Sequence, residues 1–445
     1  MTAAGQRGGV LDVLGVGFGP SNLALAIALA ERGTRAATPR PVRAEFLERQ
    51  GQFGWHRGML ITGATMQVSF LKDLVTMRNP TSEFSFLAYL HQRGRLATFI
   101  NQKDFYPTRV EFHDYLSWAA DRLRHSVTYG LEVVDATPVI ADGDVQYVDV
   151  LARRASDGRE VTYRARNIVV ATGLEPYLPP EALVSPNVWH SEMLLHKLSD
   201  VPAGEPYTFV VVGAGQSAAE AAEYLHRRFS KATIYSVFAR YGYSPADDTP
   251  FVNAIFDPAT VDLFFNAPSE VKELLLDYHS NTNYSVVDTA LIAELHQRVY
   301  QELVVGERRL IMRNLSRVVA ARAAGAGLDV DIKYLPDGSI TPVHADRLIY
   351  ATGYRPRSPL SVLGKLSSYC KIEPNQSVRL DRDHSIVTSE RMRCGIYVQG
   401  AAEATHGISS TLLSTTAIRA GEIAEAIAAG LRGDGRAGES GAHDD

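Results

Sequence analysis

The stretch "VLDVLGVGFGPSNLALAIALAERG", residues 10–33, decides the fold. An apolar run meets Gly15, Gly17 and Gly19 in alternation, then Pro20, then alanines and leucines at helical spacing. A signal peptide or membrane helix would not be broken by four such residues in succession. A strand, a glycine turn and a helix accommodate all of them. The pattern returns in "YTFVVVGAGQSAAEAAEYLHRR", residues 207–228, and two further apolar runs end in one tripeptide, "NIVVATG" at 167–173 and "RLIYATG" at 347–353.

Strands alternating with helices predict an α/β chain of two Rossmann-like dinucleotide-binding domains with mostly parallel sheets. The spacing of the two units places a first domain over 1–204 and 346–430 and a second, inserted one over 205–345. A substrate-binding segment is expected at about 248–290, between the two nucleotide sites. The polar, glycine-rich end, 431–445, is expected to be disordered.

Each glycine turn carries its own chemistry. In a dinucleotide fingerprint the first glycine permits the tight turn, and the second lets the backbone approach a pyrophosphate seated on the helix N-terminus. Gly15 and Gly17 take those places, with Gly19 and Pro20 where the third glycine would come; proline suits a first helical turn. Glu48, closing the strand "RAEFLERQ", is the candidate for the ribose hydroxyls, although it stands further from Gly15 than the usual ~20 residues. In the second unit Gly213, Gly215, Gln216 and Ser217 open the helix. The next strand, "ATIYSVFARY", ends on Arg240 rather than an acid, which favours the 2′-phosphate of NADPH over the free ribose of NADH. Thr352 and Gly353, in the second A-T-G, join the cofactor-binding candidates. Two nucleotide sites in one chain suggest FAD plus NADPH.

Composition narrows what the electrons do next. The chain has 445 residues, 45% hydrophobic and 21% charged, with a net charge of −5, which gives nucleic acid no broad cationic surface. The two cysteines, Cys370 and Cys394, form neither a redox C-x-x-C nor a metal pattern, so no disulfide reductase and no metal site is expected. The expected location is the cytoplasm. Oxygen, or another acceptor, is left as the oxidant.

One short stretch then stands out. In "VSFLKDL", residues 68–74, Lys72 sits among Val68, Phe70, Leu71 and Leu74, where an unpaired ammonium is costly to bury. Either Asp73 pairs with it, or it waits for an anion from outside the chain.

These motifs, with "FGWHRGM", "MQVSFLKDLVTMRNPTSEFSFLAYL", "FYPTRVEFHDYLSWA", "DDTPFVNAIFDP", "TNYSVVD", "ATGYRP" and "THGISSTLLS", resemble the flavin-dependent N-hydroxylating monooxygenases of siderophore biosynthesis over roughly residues 10–425. Within that family "SFLKDL" and "FYPTR" are more similar to the ornithine-specific branch. The resemblance implies that NADPH reduces FAD, that the reduced flavin captures O2 as a C4a-hydroperoxide, and that the side-chain amine of L-ornithine takes its distal oxygen. The product, N(5)-hydroxyornithine, is a hydroxamate precursor. It implies Trp55 and His56 beside the flavin, Met66, Gln67 and Asn283 in the reacting region, and Lys72 on the substrate carboxylate. Asn253, Asn283 and Ser410 are implied as further substrate contacts, and Leu412 as a cofactor contact. A homo-oligomer, dimer or tetramer, is implied too. The alternatives left open are a lysine or diamine N-hydroxylase, a flavin monooxygenase of another substrate class, and a sensor that binds dinucleotides without chemistry.

Overall fold

The computed structural model describes residues 5–6, 9–33 and 41–439. The opening stretch folds as read. Strand β1 (Gly5–Gln6) is followed by β2 (Leu11–Val16), helix α1 (Pro20–Gly33) and β3 (Ala44–Glu48). Val13 and Leu14 have no exposed surface, and the α1 face from Asn22 to Leu29 is buried. Apolar side chains on both faces of β2 are what a parallel strand covered on two sides requires.

Helix α2 (Arg109–Arg122) then leads to β4 (Val127–Tyr129), and β5 (Leu131–Ala141), β6 (Asp144–Arg154) and β7 (Glu160–Val170) form an antiparallel meander. The first sheet runs β4-β3-β2-β7-β6-β5, with β1 also on β7. After β7 the chain crosses over as β8 (Leu174–Pro176) and builds a second sheet. This holds β9 (Val188–His190), β10 (Thr208–Val212), helix α3 (Gln216–Arg228), β11 (Thr233–Val237), helix α4 (Thr289–Val305) and β12 (Leu310–Arg313). An antiparallel meander, β13 (Ser316–Ala324), β14 (Gly327–Tyr334) and β15 (Ile340–Ala345), packs beside it before β16 (Arg347–Tyr350) completes the order β12-β11-β10-β16-β9, parallel throughout. The chain returns as β17 (Tyr354–Pro356), antiparallel to β8, then β18 (Gly395–Val398) joins the first sheet parallel to β7, and α5 (Thr416–Glu439) ends the description.

Hydrogen bonding moves the expected boundaries at 204/205 and 345/346. Val188–His190 and Arg347–Tyr350 belong to the second sheet, because β16 pairs with β10 and β9 at once. The crossing points are the β8–β17 ribbon, directly after each A-T-G. The final helix continues to Glu439 where disorder was expected from 431; residues 440–445 lie outside the description. Residues 34–40, before β3, also lie outside it. Among the described residues no helix is long and apolar enough to cross a membrane.

Candidate active site

A cleft of about 2330 Å³ lies where parallel strands of both sheets end. Ordinary ligand pockets are roughly 300–1000 Å³, so this one has room for more than one dinucleotide.

The two glycine turns meet it in the same way. Gly17 has φ +85° and donates its N–H to the Leu47 carbonyl (2.8 Å); a Cβ there would fall 2.5 Å from the Ala171 carbonyl oxygen. Gly213 has φ +147°, donates to the Val237 carbonyl (3.0 Å), and a Cβ would fall 2.3 Å from the Ala351 carbonyl oxygen. Ala171 and Ala351 begin the two A-T-G tripeptides, so each domain closes its glycine turn on the end of the neighbouring strand. Only glycine fits either position.

Gly15 takes a different place from the one expected. It sits within β2 away from the cleft, and a Cβ would come 2.1 Å from the Phe46 ring. Its role is strand-to-strand packing. Gly19 and Pro20 do line the cleft: Gly19 accepts the Leu23 N–H (2.9 Å) as α1 begins, and a Cβ on it would meet nothing. The first turn of α1 is therefore open to an anion, with backbone donors and the positive end of the helix facing it. Glu48 lines the same end and accepts from the N–H groups of Phe18 (2.7 Å) and Gln50 (2.9 Å). It braces the turn and still has acceptor capacity for hydroxyls.

At the second turn Gly215 is the N-cap of α3, and Gln216, Ser217, Thr352 and Gly353 line the cleft. The Gln216 amide is spoken for on both sides: Nε2 donates to Glu220 (2.9 Å) and Oε1 accepts the Asp288 N–H (2.8 Å). Thr352 donates its hydroxyl to the Tyr177 carbonyl. His190, reached from "NVWHSEM", holds the Gly353 carbonyl at 3.0 Å through Nε2, while its Nδ1 accepts from the Glu192 N–H. Burial pushes its pKa down to about 4, in keeping with a neutral ring in that tautomer. Arg240 reaches the cleft exposed and donates to the Ser285 carbonyl (2.9 Å). Arg317 of β13 lines the cleft as well; nothing in its strand sequence marked it out.

Between the turns lie Trp55, His56, Met66 and Gln67. His56 sits in the left-handed region, φ +50°, its ring edge-on to Trp55 at 4.6 Å. That ring is exposed to the cleft, yet protein crowds it otherwise; desolvation, with Arg109 nearby, lowers its pKa to about 4. A strained backbone at such a position is typical of functional sites. Met66 is buried, its N–H on the Pro107 carbonyl (2.9 Å). Gln67 is exposed within the cleft, not a buried amide seeking partners in the core.

The question raised by "VSFLKDL" has a geometric answer. Asp73 is 3% exposed and accepts from Val75 N–H (2.9 Å), Thr76 N–H (2.6 Å), the Thr76 hydroxyl (2.9 Å) and Phe86 N–H (2.7 Å). It organises its own loop. Lys72 points into the cleft, its Nζ 6.0 Å from the centroid of the Phe256 ring, and among the described residues its ammonium has no anionic partner. Asn253, at the end of a short helical turn (Pro250–Asn253), and Asn283 line the cleft too. Beside Asn283, the Tyr284 hydroxyl donates to Glu403, tying this segment to the returning part of the first domain.

Ser410 lies elsewhere. It is 3% exposed in the turn Ile408–Thr411, which points it inward, and its carbonyl accepts from buried Arg419 at 2.6 Å. Thr411 and Leu412 line the cleft in its place. Neither Cys370 nor Cys394 reaches the cleft, and no group of metal-ligating side chains occurs among the described residues.

A cleft shared by two nucleotide turns, with no cysteine pair to carry electrons onward, defines a two-dinucleotide oxidoreductase. The profile of the L-lysine 6-monooxygenase/L-ornithine 5-monooxygenase family matches residues 9–356, and the chain belongs to that family. It is 38% identical over 432 residues to an L-ornithine N(5)-monooxygenase of Pseudomonas aeruginosa, covering 96% of each chain. Its fold matches an ornithine N-hydroxylase of Kutzneria sp. 744, solved with reduced FAD, NADP+ and L-ornithine, with a TM-score of 0.89 and 43% identity; 94% of this chain and 99% of that one are covered. An L-lysine 6-monooxygenase of Pseudomonas syringae matches with a TM-score of 0.82 and 29% identity, covering 95% of this chain and 100% of that one.

Proposed function

We propose that the protein hydroxylates the side-chain amine of L-ornithine to N(5)-hydroxyornithine, consuming one NADPH and one O2 and releasing NADP+ and water. The observation that carries this reading is Lys72, a cation aimed into a shared nucleotide cleft and without an anion of its own among the described residues. The identities and names of the relatives support ornithine as the substrate.

The open first turn of α1 at Gly19 and Pro20 fits a pyrophosphate, and Glu48, at the same end of the cleft, would take the ribose hydroxyls of FAD. Gly213, Gly215, Gln216, Ser217 and Arg240 would hold NADPH. Bound FAD supplies two-electron chemistry with oxygen, which no side chain of the chain can. The chain's own work is to place the amine and keep water away. Lys72 takes the α-carboxylate as a point charge that also lets product leave. Asn253 and Asn283 offer amide donors and acceptors to the α-amino and carboxylate groups. The side-chain ammonium must first give up its proton to solvent; the amine so formed is a nucleophile without further activation, so aim matters more than base strength. Supply of a hydroxamate precursor for a siderophore or related natural product, action in the cytoplasm and assembly as a homo-oligomer complete the proposal.

Substrate length tests it. Lysine shares the α-amino-acid end but carries its amine one methylene further, and small misplacements can cost ~100-fold in rate. Lysine should therefore drive NADPH oxidation with hydrogen peroxide and little hydroxylamine, measured by a hydroxylamine assay across ornithine, lysine, putrescine and cadaverine. Tightly coupled hydroxylation of lysine would move the protein to the lysine branch.

Cofactor choice rests on Arg240. Arg240→Ala should weaken NADPH binding by about 1.5–3 kcal/mol through loss of a charge-assisted phosphate contact. NADH, titrated in parallel, should bind almost as before. Equal weakening of both would mean that Arg240 only braces Ser285.

A further inference from the structure

Arg109 opens α2 in the first domain, and Glu220 lies early in α3 of the second. Their side chains meet fork to fork: Nη1 to Oε2 and Nη2 to Oε1, both 2.8 Å, with the side chains only 12% and 5% exposed. Paired bonds of this kind fix an angle as well as a distance. The bond crosses from one nucleotide-binding domain to the other.

Each partner is tied onward by further bonds; those of Arg109 reach the segment 59–64, whose Met59 and Ile61 are buried against the core of the second domain. Arg109 Nη1 also donates to the Met59 carbonyl (3.0 Å), and its backbone N–H donates to Ala64 (2.8 Å). Thr65 bridges to Thr108, and Met66 N–H bonds Pro107. The loop carrying Met66 and Gln67 is thus bound directly to the start of α2. On the other side Glu220 Oε1 accepts from the Gln216 amide (2.9 Å), and Gln216 accepts the Asp288 N–H (2.8 Å). Asp288 caps α4 by accepting from Ala290 and Leu291 N–H groups, a few residues beyond Asn283. One continuous chain of bonds runs from the Gln67 loop, across the domain boundary, through the second glycine turn, to the Asn283 segment.

Stability alone is a poor reason for such a pair. Replacing a buried ion pair with apolar groups of similar volume is often neutral or stabilising, whereas removing one partner leaves a costly charge. We propose that Arg109 and Glu220 are positioning residues: their fork sets the angle between the two domains, and so registers the nicotinamide site against the Gln67 loop and the amine-holding segment. This rests on reading the cleft as the FAD and NADPH site.

Four holoenzyme variants test it: Glu220→Gln, Glu220→Asp, Arg109→Lys, and the double variant Arg109→Met/Glu220→Met. The readouts are FAD content, melting temperature, rate of flavin reduction by NADPH, product formed per NADPH, and hydrogen–deuterium exchange of peptides covering 60–67 and 283–289. The expected result for Glu220→Gln is retained FAD, flavin reduction slowed roughly 10- to 100-fold, less product per NADPH, and faster exchange in both peptides together. The double variant should melt at or above the wild-type temperature yet stay slow and poorly coupled. That separation is one a merely stabilising ion pair would not produce. Glu220→Asp, which keeps the carboxylate but shortens its reach, and Arg109→Lys, which keeps the charge but loses the fork, should fall between.

Wild-type reduction rate, coupling and exchange in folded Glu220→Gln would overturn the proposal. So would restoration of all three in the double variant, because then only stability was at stake. If Glu220→Gln fails to fold, the double variant decides alone. Failure of the function reading looks different: the wild-type protein itself would show no NADPH-dependent flavin reduction or no product from ornithine.

Discussion

Lys72→Ala is expected to raise the KM for ornithine about 10- to 150-fold, the weight of a charge-assisted contact of roughly 1.5–3 kcal/mol. Some loss of kcat should accompany it, because binding at the carboxylate helps aim the distant amine. Flavin content and NADPH-dependent flavin reduction should stay close to wild type. The geometry explains the selectivity: Asp73 takes its four hydrogen bonds from Val75, Thr76 and Phe86 and loses no partner when Lys72 is shortened. Putrescine, with no carboxylate, is the control. Whatever poor activity it shows should change little, measured by hydroxylamine formed at several concentrations of each amine. An unchanged ornithine KM, or outright loss of FAD, would remove Lys72 from the substrate site.

The second large effect separates the two nucleotide sites. Gly213→Ala should abolish useful NADPH binding while leaving the protein yellow. A Cβ there would come 2.3 Å from the Ala351 carbonyl, at a φ of +147° that other residues rarely adopt. Both obstacles are backbone, so no side chain can swing aside. Strain and overpacking together amount to roughly 2–5 kcal/mol, about 30- to several-thousand-fold in affinity. Gly17→Ala, which meets the Ala171 carbonyl at 2.5 Å, should do the reverse and cost FAD. Absorbance of bound flavin and the NADPH dependence of its reduction read the two outcomes. Loss of both cofactors in Gly213→Ala would mean that the turns are not independent.

Local chemistry made most of the fold legible. A glycine that must take positive φ, an apolar run on either side of it and a helix start all lie within a few residues of one another, as at Gly17 and Gly213. What escaped is contact between distant residues. Nothing within "RLIYATG" says that β16 pairs with β10 and β9 instead of rejoining the first sheet; that depends on register across the whole insertion. Gly15 resembles a ligand-facing glycine in the motif, but its neighbour is Phe46, thirty-odd positions along the chain. Ser410 sits in a convincing motif, but the turn Ile408–Thr411 buries it, with its backbone carbonyl on Arg419, and leaves Leu412 at the cleft. Arg109 and Glu220 lay within quoted stretches without any local sign that they would meet. Lys72 was the reverse case: a local conflict between charge and surroundings, visible in seven residues, that the fold left open on the cleft side.

The ribbon formed by β8 and β17 bears on how the chain is made. Residues between these crossings complete the second sheet among themselves, whereas β7 has to wait for β18, whose Gly395 pairs with Asn167. At about 5–20 residues per second, the ribosome leaves that edge of β7 without its partner for roughly 10–45 s. An open strand edge is a template for mispairing with another chain. The inserted domain, able to close first, would then stand as a folded neighbour beside an unfinished sheet, and α5 and β18 would be the last pieces to seal the half that holds α1. Variants that weaken the pairing of β18 with β7 are therefore expected to lower the yield of folded protein.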